Sequence, residues 1–357
     1  MSTFGVTVER IAQVWTHNNA DRLEMAKVAS MSYQFVIAKG SFQVGDLVLY
    51  FPIDSVLPQR IIDLLGLTGK LAGSEQNRVK TVRLRGEISQ GVVAEPHLLL
   101  SDWNSGANYH EGQDVTEQLA VTKYEAPPVV SQAGTLVALP PLVSVYDIEG
   151  AERFGALVDL LMDNPVLITE KLEGSHFSAS IYKDREIAIS QRRFRIRPIA
   201  DAEHDWHKAA RLSGLLEKLP ALKSEVECRR GESVEVLTVR GEMIGVGIQG
   251  NYYGLRNQQV KFFELEVNGE PIGAKDFLTL MQQFDMEPVP VLAQDVTLRE
   301  WLNQRNLAAA SDGKSVITPE LAREGIVIRP MEEMRDPEFG RVIIKQRSPQ
   351  YLASSDY

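Results

Sequence analysis

The sequence predicts an α+β protein in which a small N-terminal β-barrel precedes a domain with an antiparallel β core flanked by helices. Short apolar runs separated by turn residues fill the first part of the chain, with few helical patterns among them. Prolines then cluster, and beyond them helical and strand-like periodicities alternate. We therefore expect a barrel domain at 1–120, a linker at 121–143 and a second domain at 144–357.

The barrel is predicted from apolar residues that alternate with polar ones and from the turns between them. Val6, Val8 and Ile11 alternate along the first run. Strands are expected at 5–12, 27–29, 34–38 and 46–51. The proline pairs 127–128 and 140–141 then limit helix and central-strand formation, so the linker is expected to have some extended order.

The second domain is predicted from two alternating periodicities, one helical and one strand-like. Helices are expected at 151–162, 204–218, 274–284 and 298–306. Strands are expected around 167 and at 177–182, 238–243, 260–267, 326–329 and 342–345. This mixture of helices and strands predicts an α+β domain with an antiparallel core.

The composition narrows the classes of protein. At 357 residues with 44% hydrophobic residues, the chain is long enough for two domains with a core each. No apolar run approaches the length of a membrane-spanning helix, and the N terminus lacks a signal-peptide pattern. The single cysteine, Cys228, excludes an internal disulfide and indicates a reducing cytoplasm. The net charge of −10 argues against bulk coating of nucleic acid but permits a local basic track.

One lysine stands at a position suited to nucleophilic chemistry. An apolar run from Pro165 to Ile168 predicts a strand that delivers Thr169, Glu170 and Lys171 to a turn closed by a glycine. A free lysine amine, with a pKa of roughly 10.4, is a poor nucleophile at neutral pH until its surroundings lower that pKa by about 3 units. Lys-x-x-Gly alone recurs by chance in most proteins of this size, and taken alone it favours a solvated turn lysine.

Four further segments follow this lysine in a fixed order. The stretches ITEKLEGSH, VRGEMIGVGIQGN, VKFFELEV, REGIVIRP and RVIIKQRSPQYL resemble nucleotidyltransferase motifs I, III, IIIa, IV and V of covalent ligases and capping enzymes. The resemblance is closest to ATP-dependent RNA ligases with an N-terminal OB domain and no C-terminal OB domain. The segments HNNADRLEMAKV, KGSFQVGDLVLYFPIDSVLP and RVKTVRLRGEISQGVV resemble that OB domain, so the similarity extends over nearly the whole chain.

The resemblance implies that Lys171 attacks the α-phosphorus of ATP, with Mg²⁺ or Mn²⁺ as cofactor. It implies that Glu242 contacts the ribose and that Glu324 helps to bind the metal. Glu170 and Glu173 flank the lysine and are expected to contribute to nucleotide binding, although the position of Glu173 varies in the superfamily.

Other expected nucleotide contacts come from an aromatic pair and from cationic groups. The resemblance places Phe262 and Phe263 where an aromatic ring stacks on the base. Adjacent residues of a strand point to opposite faces, so one ring is expected in the core and the other against the base. Phe262 is the favoured stacking ring. The remaining expected nucleotide contacts are His176, Lys345, Arg347 and Arg153. Arg347 departs from the usual Lys-x-Lys pattern of motif V. The alternative for Arg153 is an exposed helix arginine.

Two basic clusters are candidates for nucleic-acid binding. Lys80, Arg83 and Arg85 share one predicted strand region, and Arg192 and Arg193 lie in the other cluster. Each cluster equally fits a solvated strand face.

The resulting hypothesis is an ATP-dependent RNA ligase that joins 3′-hydroxyl and 5′-phosphate ends through lysyl-AMP and an adenylylated 5′ end. The resemblance implies a nicked duplex with RNA on the 3′-hydroxyl side as the substrate, and a role in RNA repair. A chain that ends soon after motif V is expected of an RNA ligase rather than of a DNA ligase or a GTP-dependent capping-type transferase. The alternative to an enzyme is a non-catalytic RNA-binding protein, in which an OB module is joined to a degenerate nucleotidyltransferase fold. The oligomeric state is not predicted.

Overall fold

A computed structural model gives the structure of the chain and describes residues 4–103, 109–125, 134–199 and 203–354. It divides into two compact units. Unit 1 comprises the described residues of Met1–Pro127, Glu149–Ala156 and Pro349–Tyr357, and unit 2 those of Pro128–Ile148 and Leu157–Ser348. The sequence analysis placed the domain boundaries at 120 and 143, so it assigned Glu149–Ala156 and Pro349–Tyr357 to the second domain and not to unit 1. Residues 126–133 of the predicted linker lie outside the described residues.

The strands of the described residues, in chain order, are β1 (Thr7–Thr16), β2 (Leu23–Val28), β3 (Gln34–Ala38), β4 (Leu47–Phe51), β5 (Ser55–Val56), β6 (Thr81–Leu84), β7 (Glu87–Gln90), β8 (Val92–Ala94), β9 (Thr122–Lys123), β10 (Gly134–Ala138), β11 (Glu149–Gly150), β12 (Pro165–Lys171), β13 (Ser175–Tyr182), β14 (Ile187–Ser190), β15 (Phe194–Pro198), β16 (Val236–Ile244), β17 (Gln259–Val267), β18 (Glu270–Pro271), β19 (Val291–Thr297), β20 (Gly325–Pro330), β21 (Arg335–Asp336), β22 (Gly340–Arg341) and β23 (Ile344–Arg347).

The α-helices are α1 (Gln59–Leu64), α2 (Pro96–Leu99), α3 (Thr116–Leu119), α4 (Gly155–Met162), α5 (Asp205–Leu212), α6 (Leu215–Arg230), α7 (Ala274–Gln283), α8 (Leu298–Leu302), α9 (Leu307–Ser311) and α10 (Pro349–Ser354), with a 3₁₀ turn at Gln249–Asn251. Among the described residues, no helix is long and apolar enough to cross a membrane.

Unit 1 is built on an antiparallel sheet with the strand order β3-β2-β1-β4-β8. Alternating residues of β1 and β4 point to two apolar clusters. One cluster contains Val8, Leu49 and Phe51, and the other contains Ile11 and Tyr50. Because buried residues lie on both faces of β4, the sheet has an apolar cluster on each side.

Unit 2 contains an antiparallel sheet with the order β10-β15-β14-β13-β16-β17-β18. Its apolar face packs against helices α5, α6 and α7, around a core that includes Phe177, Trp206, Leu219, Phe262 and Phe277. A second sheet of this unit has the order β23-β20-β12-β19 and carries the strand that ends at Lys171. The predicted mixture of an antiparallel core and flanking helices is confirmed.

Several predicted elements differ from the structure in their bounds or in their number. The predicted helix 204–218 is two helices, because Gly214 adopts a left-handed conformation with φ of 67° between α5 and α6. The predicted helix 151–162 begins only at Gly155. The predicted strand 342–345 is shifted to Ile344–Arg347. Strands β10, β14, β15 and β19 were not predicted.

Candidate active site

Three cationic side chains share one face of the smaller sheet of unit 2. Lys171 on β12 and Arg347 on β23 both pair with Gly325, which lies between them on β20. Lys345 lies two residues before Arg347 and therefore has the same orientation. Directly paired residues of antiparallel strands point to the same face, so the sheet presents these three cations together.

Glu324 immediately precedes β20 and contacts the nucleophile candidate. Its Oε1 lies 2.5 Å from the Lys171 Nζ. Burial disfavours the charged ammonium, but Glu324, Glu242 and Glu173 act in the opposite direction and raise the pKa of Lys171 above its ordinary value. The pKa of Lys171 is therefore raised in this structure, whereas the sequence analysis expected a nucleophilic lysine to have a lowered pKa.

Glu242 and Glu173 complete an acidic cluster around the lysine. Burial, together with the nearby charges of Glu324 and Glu173, raises the pKa of Glu242 to about 8, against the opposing effect of Lys171. The backbone N–H of Glu173 donates to the Tyr253 hydroxyl at 2.8 Å. The structure thus brings Glu173, Glu242 and Glu324 together around Lys171.

The close approach of the strands depends on two glycines. A Cβ at Gly174 would lie 2.5 Å from the Met243 carbonyl oxygen, and a Cβ at Gly325 would overlap the Gln346 carbonyl oxygen. Because neither position has space for a side chain, glycine is required for Lys171, Glu242 and Arg347 to come together.

A cluster of rings lies on the polar face of the larger sheet. The ring of Tyr146 stacks on that of His176, with 5.5 Å between centroids, and packs on that of Phe263 at 5.1 Å. His176 pairs across the strands with Glu242, so the rings neighbour the acidic cluster. This arrangement offers a π surface beside Lys171 on which a base can stack.

The preference for Phe262 as the stacking ring is wrong. Phe262 is only 2% exposed and belongs to the apolar core. The register of β16 and β17 shifts between Arg240 and Gly241, so Phe263 occupies a β-bulge. Its ring contacts Tyr146 and His176, and it is only partly buried, against a smaller apolar cluster that includes Leu172 and Tyr253, so Phe263 is the more accessible of the two rings.

His176 is held neutral by its surroundings. Burial lowers its pKa well below the ordinary value, and the Arg240 and Arg192 guanidinium groups lower it further. Arg240 lies 3.4 Å from His176 Nε2 and makes two hydrogen bonds to the Glu266 carboxylate, at 2.7 and 2.9 Å. His176 is therefore suited to hydrogen bonding rather than to charge pairing with a phosphate.

The Glu170 side chain lies on the opposite face of β12 from Lys171, because successive strand residues alternate. One of its carboxylate oxygens accepts a hydrogen bond from the Val316 backbone N–H at 2.8 Å. Burial raises the pKa of Glu170, although the hydrogen bonds from Ser315 and Val316 oppose this shift. The carboxylate fastens the loop that leads to Glu324, and a contact between Glu170 and the nucleotide stays a prediction.

Asp147, which was not among the predicted site residues, lies between two predicted cations, Arg192 and Lys345. Asp147 Oδ2 is 2.8 Å from Arg192 Nη2, and its Oδ1 is 3.7 Å from Lys345 Nζ. Arg192 Nε also donates to the Tyr146 carbonyl oxygen at 2.9 Å. Arg192 therefore lies beside the ring cluster, whereas Arg193 is exposed in the turn between β14 and β15.

The remaining predicted residues belong to unit 1. Arg153 Nη2 donates to the Gly5 carbonyl oxygen at 2.8 Å. Arg83 and Arg85 are exposed in the β6-β7 hairpin, with Lys80 just before it. Arg83 Nη1 donates to the Gly86 carbonyl oxygen at 2.9 Å, and their contacts with nucleic acid stay predictions.

The chemistry of the acidic cluster fits a hard divalent cation. Carboxylate oxygens are the ligands that Mg²⁺ and Mn²⁺ prefer, and Glu173, Glu242 and Glu324 supply them near Lys171. In the part of the chain that the structure describes, no group of three His, Cys, Asp or Glu side chains is already spaced as a complete metal cage.

Comparisons with known proteins agree with this site. A family profile described as RNA ligase matches residues 164–347, and one described as an OB-fold domain matches residues 5–96. A Naegleria gruberi RNA ligase mutant with AMP and Mn has a TM-score of 0.78 at 25% identity, over 97% of each chain. A mutant with ATP and Mn has a TM-score of 0.77 at 25% identity, over 97% of this chain and 98% of that one. An apo mutant of the same Naegleria ligase has a TM-score of 0.77 at 26% identity, over 99% of this chain and 98% of that one. Curated protein sequences give no significant match.

Proposed function

This chain belongs to the RNA ligase family, whose profile matches more than half of its length, and we propose that it joins RNA ends with ATP through a covalent lysyl-AMP at Lys171. The observation that carries the proposal is the placement of Lys171 beside three carboxylates, on a sheet face that it shares with Lys345 and Arg347. ATP as substrate is further supported by the Naegleria structures that contain ATP or AMP with Mn.

The first step forms a bond between Lys171 Nζ and the α-phosphorus of ATP and breaks the bond to pyrophosphate, which leaves. The amine must lose a proton before it attacks, and the Glu324 carboxylate is its hydrogen-bonded acceptor at 2.5 Å. Lys345 and Arg347 lie on the same sheet face and are suited to neutralising the phosphates.

The nucleoside is positioned by groups beside the lysine. Phe263 offers its ring to adenine, and His176, which is neutral, offers a hydrogen bond. Glu242 lies opposite His176 across the strands and is suited to accepting hydrogen bonds from the ribose hydroxyls. A divalent cation held by Glu324 and its neighbours, when bound, neutralises phosphate charge.

Two polynucleotide steps complete the proposed reaction. A 5′-phosphate oxygen attacks the phosphorus of lysyl-AMP and displaces Lys171, which gives an adenylylated 5′ end. The 3′-hydroxyl then attacks the 5′-phosphorus of that end, forms the phosphodiester and releases AMP. We propose a nicked duplex with RNA on the 3′-hydroxyl side as the substrate. We place the enzyme in a reducing cytoplasm, because its one cysteine, Cys228, is free and exposed.

The substrate is tested by sealing of matched nicked duplexes that differ only in the sugars at the 3′-hydroxyl and 5′-phosphate sides. We expect efficient sealing when the 3′-hydroxyl strand is RNA, whichever sugar carries the 5′-phosphate. Equal sealing of an all-DNA nick would contradict the substrate proposal. The absence of sealing by an enzyme that still forms the AMP adduct would confine its activity to adenylyl transfer.

A further inference from the structure

Asp147 holds two cations that face the nucleotide site. Its carboxylate contacts the Arg192 guanidinium at 2.8 Å and lies 3.7 Å from the Lys345 ammonium. The Asp147 side chain is 23% exposed, whereas those of Arg192 and Lys345 are 43% and 31% exposed. A small anion from solvent therefore has access to both cations.

Both cations are directed at the same site. Lys345 shares its sheet face with Lys171, through the pairing of both strands with β20. Arg192 lowers the pKa values of His176 and Glu242, although burial is the largest influence on both groups. An arginine and a lysine on either side of one carboxylate match the donor set that binds phosphate oxygens.

We propose that Asp147 is an internal substitute for phosphate, which neutralises Arg192 and Lys345 in the nucleotide-free enzyme and is displaced from them by the phosphates of the nucleotide. The inference rests on the proposed function, because it takes the phosphates to bind at Lys345. Asp147 would then set the affinity for the nucleotide through these two cations, without contacting the nucleotide itself.

The Asp147 carboxylate and a phosphate group carry the same sign of charge, so they compete for Arg192 and Lys345. A half-exposed ion pair is weak, whereas a phosphate group offers a larger charge and several oxygens to the same donors. Removing the Asp147 charge removes the competitor from both cations. Pyrophosphate is therefore expected to bind more tightly when Asp147 is neutral.

The test is titration of the full-length protein with inorganic pyrophosphate, after removal of bound AMP and in the presence of a metal chelator. We expect Asp147→Asn to bind pyrophosphate about three- to tenfold more tightly than the wild type. The affinity of the variant is also expected to fall more steeply with salt, because one more net positive charge faces the ligand.

Two further variants serve as controls. Asp163→Asn removes a carboxylate that pairs with Arg299 at 2.7 Å on the exposed surface, and it should leave pyrophosphate affinity unchanged. Asp147→Glu keeps the charge and should remain close to the wild type. Thermal unfolding of each variant establishes that the protein is folded.

Weaker or unchanged binding by folded Asp147→Asn would overturn the inference and leave the proposed function intact, since Asp147 would then position the cations or be idle. If neither the wild type nor the variant bound pyrophosphate, the phosphate-binding role of this site would be overturned, and the inference with it.

Discussion

Phe262 and Phe263 are adjacent in the sequence and have different environments in the structure. Phe262 is packed in the core of the larger sheet, and Phe263 lies in a bulge beside His176 and Tyr146. Single residues such as these decide nucleotide affinity, because each contributes one interaction of defined chemistry.

Alanine substitutions separate the two roles. Phe263→Ala is expected to raise the KM for ATP about tenfold, because base stacking contributes about 1–3 kcal/mol. It is expected to destabilise the fold less than Phe262→Ala does, because Phe263 is only partly buried. Phe262→Ala is expected to lower the free energy of unfolding by about 3–5 kcal/mol, because it leaves a cavity in the core. Thermal unfolding and adenylylation kinetics of both variants check the assignment, and the reverse pattern would return the stacking role to Phe262.

The titration of Glu242 gives a prediction for the nucleotide-free, metal-free protein. Its pKa rises from an ordinary value of 4.5 to about 8, because burial disfavours the charged carboxylate. The folded state therefore binds a proton more tightly than the unfolded state. The stability that this proton contributes is fully present below pH 4.5 and is lost as pH rises to about 8.

Unfolding of the wild type and of Glu242→Gln at a series of pH values tests this. The variant lacks the titrating group, so its stability relative to the wild type is expected to increase as pH rises through this window. A constant difference between the two proteins would show that Glu242 keeps an ordinary pKa.

At the scale of elements, the strands that carry the motifs were predictable from the sequence, and several of their partners were not. Apolar runs and the order of the five segments located β12, β16 and β20. The bulge in β17 depends on a register shift against β16, which no local pattern encodes. Asp147 was missed because it meets Lys345 across a large separation in sequence, and a lone aspartate gives no signal.

The strands β14 and β15 were missed for a different reason. Arginines occupy much of the turn and of β15, so the apolar alternation that indicates a strand is weak there. The hairpin nevertheless places Arg192 against Tyr146 and Asp147, so it contributes to the site.

The packing of β20 against β23 gives a prediction at this scale. Gly325→Ala would place a Cβ against the Gln346 carbonyl oxygen, which would separate the two strands and move Glu324 from Lys171. We expect a destabilisation of about 1–3 kcal/mol and a loss of AMP-adduct formation.

Gly155→Ala is the matched control for Gly325→Ala, because its added Cβ meets nothing within 4 Å. Unfolding and adduct assays on both variants give the measurement. If Gly325→Ala retained normal adduct formation, the strand spacing would not be what positions Glu324.

At the scale of the whole molecule, the two units carry different groups of the predicted site. Unit 2 holds Lys171, Glu242 and Glu324, whereas unit 1 holds the basic hairpin with Arg83 and Arg85. The family resemblance located both units, but the composition of unit 1 from three separate segments could not be predicted, because their grouping depends on tertiary packing.

Simultaneous replacement of Lys80, Arg83 and Arg85 by alanine tests this division in the intact chain. We expect AMP-adduct formation to be unchanged and nick sealing to weaken. The salt dependence of duplex binding should become shallower, by a slope of roughly 0.9 for each phosphate that the variant no longer neutralises.

Replacing the exposed cations Lys39, Arg60 and Lys70 is the charge-matched control for unit 1. Equal effects of the two triple variants on sealing would mean that net charge, and not the hairpin, supports RNA binding.

The most direct test of covalent catalysis is incubation of the purified protein with α-labelled ATP and Mg²⁺ or Mn²⁺, followed by denaturation and measurement of retained label. Lys171→Ala is compared with Lys314→Ala, whose ammonium donates a hydrogen bond to the Glu320 carbonyl oxygen. We expect acid-labile label on the wild type and on Lys314→Ala, none on Lys171→Ala, and none with labelled GTP or NAD. A folded wild-type protein that retains no label, or a Lys171→Ala protein that retains it, would contradict covalent catalysis at Lys171.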